Sequence, residues 1–434
     1  MRRVPFIAVT LTVLLAVAIA CDIFFAPPVF SQDVYDGNQI SIGTHADEAG
    51  AGQPRSATSD PRSVTLPFTM DHNRMIVDVE FVRSDGTVRP ARAWVDTGNE
   101  VLMLSKPLAH DLGIDVSGVK DKGLQVELPK PAPLLRFGGL SVPTEGIRTE
   151  VLPGDTVWHG VPADFNLPAS LLRNEHLVLD YPARRLTVAR PGVLKPEGAA
   201  IPCRVNTETG LFMVTAVLDG DTVQLGVDNG SAGTWLSDSL TKAWTTRHPD
   251  WPRATGAAGS ANFFGFPFES GGVLMRLPVL NLGPVRALDV ALLGLDQSFF
   301  DWYSRKSAGS VLGFIGSNVL RNFRLEVDFP NQMTYWTAGP PDKLNDLDIV
   351  GLTLRPGDDG GYTVSGVVSR DGGPTVAGVQ PGDRLISVDG LDAATTTMGA
   401  LVDALRGRPG SKHTIVLERA GKRFAVKAEV KRLP

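Results

Sequence analysis

Val95-Asp96-Thr97-Gly98-Asn99-Glu100-Val101-Leu102-Met103-Leu104-Ser105-Lys106-Pro107-Leu108 sets an acid and a glycine turn between two apolar runs. The pattern recurs as Val227-Asp228-Asn229-Gly230-Ser231-Ala232-Gly233-Thr234-Trp235-Leu236-Ser237-Asp238-Ser239-Leu240, where Val, Asp, Gly, Leu, Ser and Leu coincide at an offset of 132 residues. Each copy is preceded by an apolar run, an Asp-Gly turn and a second apolar run. Those runs predict strands over Met75–Val82 and Val88–Val95 in the first copy, and over Met213–Leu218 and Thr222–Val227 in the second. Asp85-Gly86 and Asp219-Gly220 are the turns.

Both copies also end alike. Leu172-Arg173-Asn174 and Asp180-Tyr181-Pro182 match Leu320-Arg321-Asn322 and Asp328-Phe329-Pro330 at an offset of 148. The second copy therefore carries about 16 extra residues, placed around Arg247–Phe268 and expected to form a loop beside a cleft. A lone Asp-Thr-Gly or Asp-Asn-Gly is ordinary turn chemistry. Following one apolar β run and leading into another, twice, it is a repeated structural unit.

Val95-Asp96-Thr97-Gly98 resembles the active-site motif of the aspartic protease superfamily, retropepsin-like or pepsin-like. Gly313-Phe314-Ile315-Gly316 followed by Leu320 resembles that family's second hallmark, an apolar pair and glycine beside the catalytic loop. The similarity covers roughly Ser63 to Trp336. It implies a mainly β, two-lobed acid-protease architecture of β-barrel lobes, with lobe 1 over 63–195, lobe 2 over 196–340 and a cleft between them. Each lobe would give one catalytic acid, Asp96 and Asp228, to an endopeptidase that hydrolyses an extended polypeptide without a cofactor or metal.

Two carboxylates about 3 Å apart cannot both ionise cheaply, so they share a proton. The ionised member serves as general base toward water, and the protonated one polarises the scissile carbonyl. Gly98 and Gly230 let the two loops approach, and the resemblance gives the Thr97 hydroxyl the task of bracing the opposite loop. Asn229 replaces the usual Thr or Ser, Ser231 completes the second loop, and Asn99 stands where Ser or Ala is usual. In lobe 1 the second hallmark is eroded to Phe165-Asn166-Leu167-Pro168, and no Tyr lies between Gly98 and Asn166 to act as a flap residue. A flap over Lys120–Pro133 is expected instead. These departures keep open a second reading, a protease-like protein that binds peptides without cutting them.

After the polar joint Asp342-Lys343-Leu344-Asn345-Asp346, the run Val376-Ala377-Gly378-Val379-Gln380-Pro381-Gly382-Asp383-Arg384-Leu385-Ile386-Ser387-Val388-Asp389-Gly390 resembles the core of a bacterial PDZ domain. The resemblance implies an α+β domain over 345–434 with a helix over Thr397–Arg406 and strands over Thr414–Arg419 and Arg423–Val430. Its partner would be a peptide or protein C-terminus added as a strand. Val350, Gly351 and Leu352 would hold the terminal carboxylate.

The rest of the chain sets limits. With 46 Gly, 32 Pro and a net charge of -5 in 434 residues, the composition favours strands and turns and gives no electrostatic reason to expect nucleic acid. The seven His form no metal-ligand pattern. Arg2 and Arg3 precede the apolar run Val4–Ala20, which predicts an export signal within 1–31 and a periplasmic or otherwise extracytoplasmic body. Ala18-Ile19-Ala20-Cys21 resembles a lipobox, with lipidation at Cys21 tethering the chain to the membrane. Cleavage after Ser31 and an uncleaved anchor remain alternatives. Residues 32–62 are polar and aperiodic, a flexible linker in this reading. Cys203 is expected to be a lone buried thiol without a role.

Overall fold

The computed structural model describes residues 60–120, 123–128, 133–255, 271–340, 346–356 and 361–434. Cys21 and the rest of the expected signal, nearly all of the 32–62 linker, and parts of the expected flap and of the lobe 2 insertion lie outside them. Among the described residues, no helix is long and apolar enough to cross a membrane.

Among the described residues 49% lie in strands and 12% in helices, so the protein is mainly β, as its Val, Thr and Gly content predicts. The repeat folds twice into the same strand order. In the first copy, Ser63–Asp71 pairs with Arg74–Val82, which pairs with Val88–Asp96. Phe165–Pro168 then lies parallel to Val88–Asp96 and antiparallel to Leu102–Ser105, so it fills the space between the strands that flank the Asp96 loop. In the second copy, Phe212–Leu218 pairs with Asp221–Val227, and Gly313–Ile315 lies parallel to Asp221–Val227 and antiparallel to Thr234–Ser237. Asp219 (φ 48°) and Gly220 (φ 84°) make the two-residue turn expected of an Asp-Gly hairpin.

A six-stranded antiparallel sheet joins the copies. Its order is Ser63–Asp71, Arg185–Ala189, His176–Asp180, Phe323–Asp328, Met333–Ala338 and Ala199–Val205. The central pair, His176–Asp180 against Phe323–Asp328, carries the two matching Asp-aromatic-Pro ends. The strands flanking Asp96 and Asp228 bury apolar faces in one continuous core that includes Val95, Leu104, Val227, Leu236 and Ile315. Because this core spans the lobes, it fixes the two motif loops relative to each other. Cys203 is buried in it, and burial pushes its thiol up to about 12, out of reach of nucleophilic chemistry at neutral pH.

The C-terminal unit is separate in architecture. Its sheet runs Leu352–Pro356, Tyr362–Val367, Arg384–Val388, Lys412–Arg419 and Lys422–Glu429, and the helix Met398–Ala404 packs on it. Thr397 caps that helix by accepting from the Ala400 N–H, the usual role of a threonine at this position. Ala254, Leu274 and Ala291 of lobe 2 belong to the same apolar cluster as this unit, so the two share buried surface.

Candidate active site

Each candidate loop, around Asp96 and around Asp228, is a short connection between two buried strands, and its glycine meets the acid of the other loop. A Cβ on Gly98 would lie 2.2 Å from Asp228 Cγ, and a Cβ on Gly230 would lie 2.2 Å from Asp96 Cγ. No other residue fits at either place. Asp96 and Asp228, 132 residues apart, are therefore brought together at the junction of the lobes, 7% and 8% exposed.

Hydrogen bonds crossing the junction lock the loops. The Thr97 hydroxyl donates to the Val227 carbonyl (2.9 Å) and accepts from the Asn229 N–H (3.1 Å). In return, Asn229 Oδ1 accepts from the Thr97 N–H (2.8 Å). The amide thus supplies one half of what a threonine hydroxyl would do there. The other half, a bond donated to the Asp96 loop, is missing: Asn229 Nδ2 is buried without an acceptor there and faces the Tyr181 hydroxyl instead. Ser317 secures the loop from behind by donating to the Asn229 carbonyl (2.9 Å). The Ser231 hydroxyl donates to Gly233 O (2.8 Å), so only its backbone N–H serves the acid.

The carboxyls differ in their partners. Asp96 accepts on both oxygens, from the Gly98 N–H (3.0 Å) at Oδ1 and from Asn166 Nδ2 (2.7 Å) at Oδ2. Asn99 orients that amide by donating to Asn166 Oδ1 (2.7 Å). Asp228 accepts the Gly230 and Ser231 N–H groups (2.9 and 3.0 Å), both at Oδ1. Burial lifts both acids above the usual carboxylate range. At Asp228 the repulsion of Asp96 adds to the lift and takes it well above that range, whereas the Asn166 amide offsets part of the lift at Asp96. Asp96 thus has a donor on each oxygen, which suits an ionised carboxylate, while burial and the neighbouring charge favour the protonated form of Asp228.

Four features here were not read from the sequence. Asn166, counted as erosion of the hallmark, is the side chain that stabilises ionised Asp96; its counterpart in lobe 2 is Phe314. Despite lacking a glycine, Phe165–Pro168 keeps the parallel pairing with the catalytic strand, Asp96 opposite Pro168. The aromatic run Phe299-Phe300-Asp301-Trp302-Tyr303, on the helix Gln297–Ser304, sets the Tyr303 ring 4.4 Å from that of Phe314. Burial, then the charges of Asp228 and Asp96, push the Tyr303 hydroxyl well above its ordinary range. Tyr303 is thus a buried core residue of lobe 2 packed on the strand beside the Asp228 loop. Finally, Lys306 crosses the junction to pair with Glu100, its ammonium 4.5 Å from the Trp302 ring centroid.

Residues 375–419 match a family model described as a PDZ domain. The C-terminal unit contains a PDZ domain over these residues. No curated protein matches the chain. A PDZ domain points to peptide binding or regulation, and the geometry of its expected carboxylate loop is specific. Val350, Gly351 and Leu352 are buried, and the Val350 N–H already donates to the Leu405 carbonyl (3.2 Å). Gly351 O accepts from the Val368 N–H (2.8 Å). Of the three residues expected to hold a terminal carboxylate, Val350 uses its amide inside the domain, tying the loop to the end of the Met398–Ala404 helix. Asp383 of the family motif is fully buried and takes Arg419 on both oxygens (2.6 and 2.7 Å), a structural pair within the matched segment.

Among the described residues, no group of three or more His, Cys, Asp or Glu could hold a metal ion.

Proposed function

We propose that the chain is an aspartic endopeptidase in which Asp96 and Asp228 together activate a water molecule against a peptide bond. The observation that carries this reading is the reciprocal seating of each loop's glycine on the other loop's acid. Turn chemistry has no need of it, and a shared-proton site requires it. In the proposed cycle, an extended polypeptide lies across the junction of lobes 63–195 and 196–340. Asp96, ionised and held by Asn166, takes a proton from water as its oxygen attacks the scissile carbonyl carbon. Asp228 gives its proton to the carbonyl oxygen, forming a tetrahedral diol. Collapse of the diol returns a proton to Asp228, moves one to the departing nitrogen and breaks the C–N bond, restoring the starting protonation.

The PDZ domain then recruits or regulates, by binding a peptide or protein C-terminus. The N-terminal signal pattern supports an exported, extracytoplasmic protein held at the membrane through Cys21 or an uncleaved anchor. The missing fourth bond at Asn229 favours one rival, a protease-like protein that holds peptides and does not cut them.

Incubating the full chain with a peptide library from acid to neutral pH and mapping new termini by mass spectrometry separates the two. The endopeptidase reading expects cuts that disappear, by a factor of about 10²–10⁴ or more, in Asp96→Asn. Cuts that persist unchanged in that variant would sink it.

A further inference from the structure

One hairpin turn touches both the PDZ helix and the second catalytic loop. Asp71-His72-Asn73-Arg74 joins Ser63–Asp71 to Arg74–Val82, with His72 (φ 47°) and Asn73 (φ 61°) both left-handed. This is the two-residue geometry that matches strand twist, so the turn moves as a unit with its strands. On one side, Asp71 accepts the Thr397 hydroxyl at Oδ2 and the Gly399 N–H (3.1 Å) at Oδ1, and the Met398 N–H donates to Gly160 O (3.0 Å). The fit leaves no space, since a Cβ on Gly399 would lie 2.3 Å from His72 N and 2.6 Å from Asp71 Cγ. On the other side, Asn73 Nδ2 donates to Ala232 O (3.0 Å), four residues beyond Asp228. Asn73 Oδ1 accepts from Arg321 (2.9 Å). Arg321 and Arg406 of the PDZ domain also share Asp346 (3.0 and 3.3 Å), closing the circuit through lobe 2.

We infer that this turn couples the PDZ domain to the catalytic site: docking of the helix on Asp71 holds Asn73 against Ala232 and so keeps the Asp228 loop in its assembled position. A peptide that draws the helix away from lobe 1 loosens that loop. The helix flanks the groove in which a PDZ ligand adds as a strand, so ligand and lobe 1 act on the same element. The coupling follows from differential contacts of that element in its docked and undocked states. Its activity readout rests on the endopeptidase reading; its structural readout does not.

Two full-length variants attack the contact from opposite sides. Asp71→Ala removes the acceptor. Gly399→Ala adds a methyl that cannot fit against His72, while alanine is the better helix former, so the PDZ domain itself keeps its fold. Hydrogen exchange read by mass spectrometry is expected to speed up about tenfold over both 397–405 and 228–233 in each variant, within the usual range of coupling between sites. Peptide cleavage is expected to lose about tenfold in kcat with little change in KM. Faster exchange over 397–405 with 228–233 unchanged would overturn the coupling. If Asp71→Ala does not fold, Gly399→Ala decides alone. A wild-type chain that cuts nothing defeats the endopeptidase reading and leaves the coupling to the exchange result.

Discussion

Gly98 lies so close to Asp228 that a single methyl on it would sit 2.2 Å from the carboxyl carbon, and Gly230 stands in the same relation to Asp96. The two glycines are where the lobes need a bare backbone, and the demand is symmetric. Gly98→Ala and Gly230→Ala are each expected to push the acids apart and to cut peptide hydrolysis by about 10² or more, the usual consequence of misplacing catalytic groups by an ångström. Thermal unfolding of each variant shows whether the fold survives; a variant as active as the wild type would contradict the geometry.

Asn229 gives one of the two side-chain bonds a threonine would make across the junction. Asn229→Ala leaves the buried Thr97 N–H without its acceptor and is expected to cost about 1–3 kcal/mol in urea unfolding. Asn229→Thr restores an acceptor for Thr97 and adds a donor, so it is expected to match or exceed wild-type stability. The pair of variants separates loss of the bond from loss of the amide.

In the proposed cycle the acid limb of the pH profile belongs to Asp96, because the general base must be ionised. Asn166 Nδ2 favours that ionised form, and removing it raises the Asp96 value further above the ordinary range. Asn166→Leu is therefore expected to move the acid limb of kcat/KM to higher pH. An unmoved limb would show that Asn166 serves packing alone.

Asp228 makes a separate prediction about stability. Its folded value is raised by burial and by Asp96, so its contribution to stability is fully present below its unfolded value and is lost as pH rises through the folded one. Asp228→Asn removes that loss. The variant is expected to be inactive, yet more stable than the wild type at neutral pH by about 0.5–2 kcal/mol, the trade seen where function holds an unfavourable group. In acid, where the carboxyl is protonated in both states, the gain is expected to vanish. Urea midpoints at the two pH values test both halves.

What was legible in the sequence was what repeats. Asp96 and Asp228 could be paired because the strands before and after them keep one register, and the Asp219-Gly220 turn followed from local chemistry alone. The PDZ segment was legible because its Gly, Pro and Asp turns lie close together in the chain. The asymmetric parts were not legible. Asn166 reaches Asp96 only because Phe165–Pro168 runs parallel to Val88–Asp96, with Trp94 opposite Asn166, a pairing of residues about 70 apart that no local pattern announces. The Glu100 and Lys306 pair and the Asp71 contact with the PDZ helix are likewise products of assembly. The bond from the Val350 N–H to the Leu405 carbonyl, 55 residues on, is likewise a product of assembly.

The most direct test of the account compares two ligands that differ only at the reacting bond. A peptide enriched from the library is made with its scissile amide intact and with that amide replaced by a hydroxyl-bearing tetrahedral isostere, and both are titrated against the full chain by calorimetry. A site that stabilises a tetrahedral diol binds the isostere at least about 10²-fold more tightly, and either Asp96→Asn or Asp228→Asn removes the preference. Equal affinity for the two ligands, unaffected by either substitution, would mean that the junction of the lobes holds peptides and does not cut them.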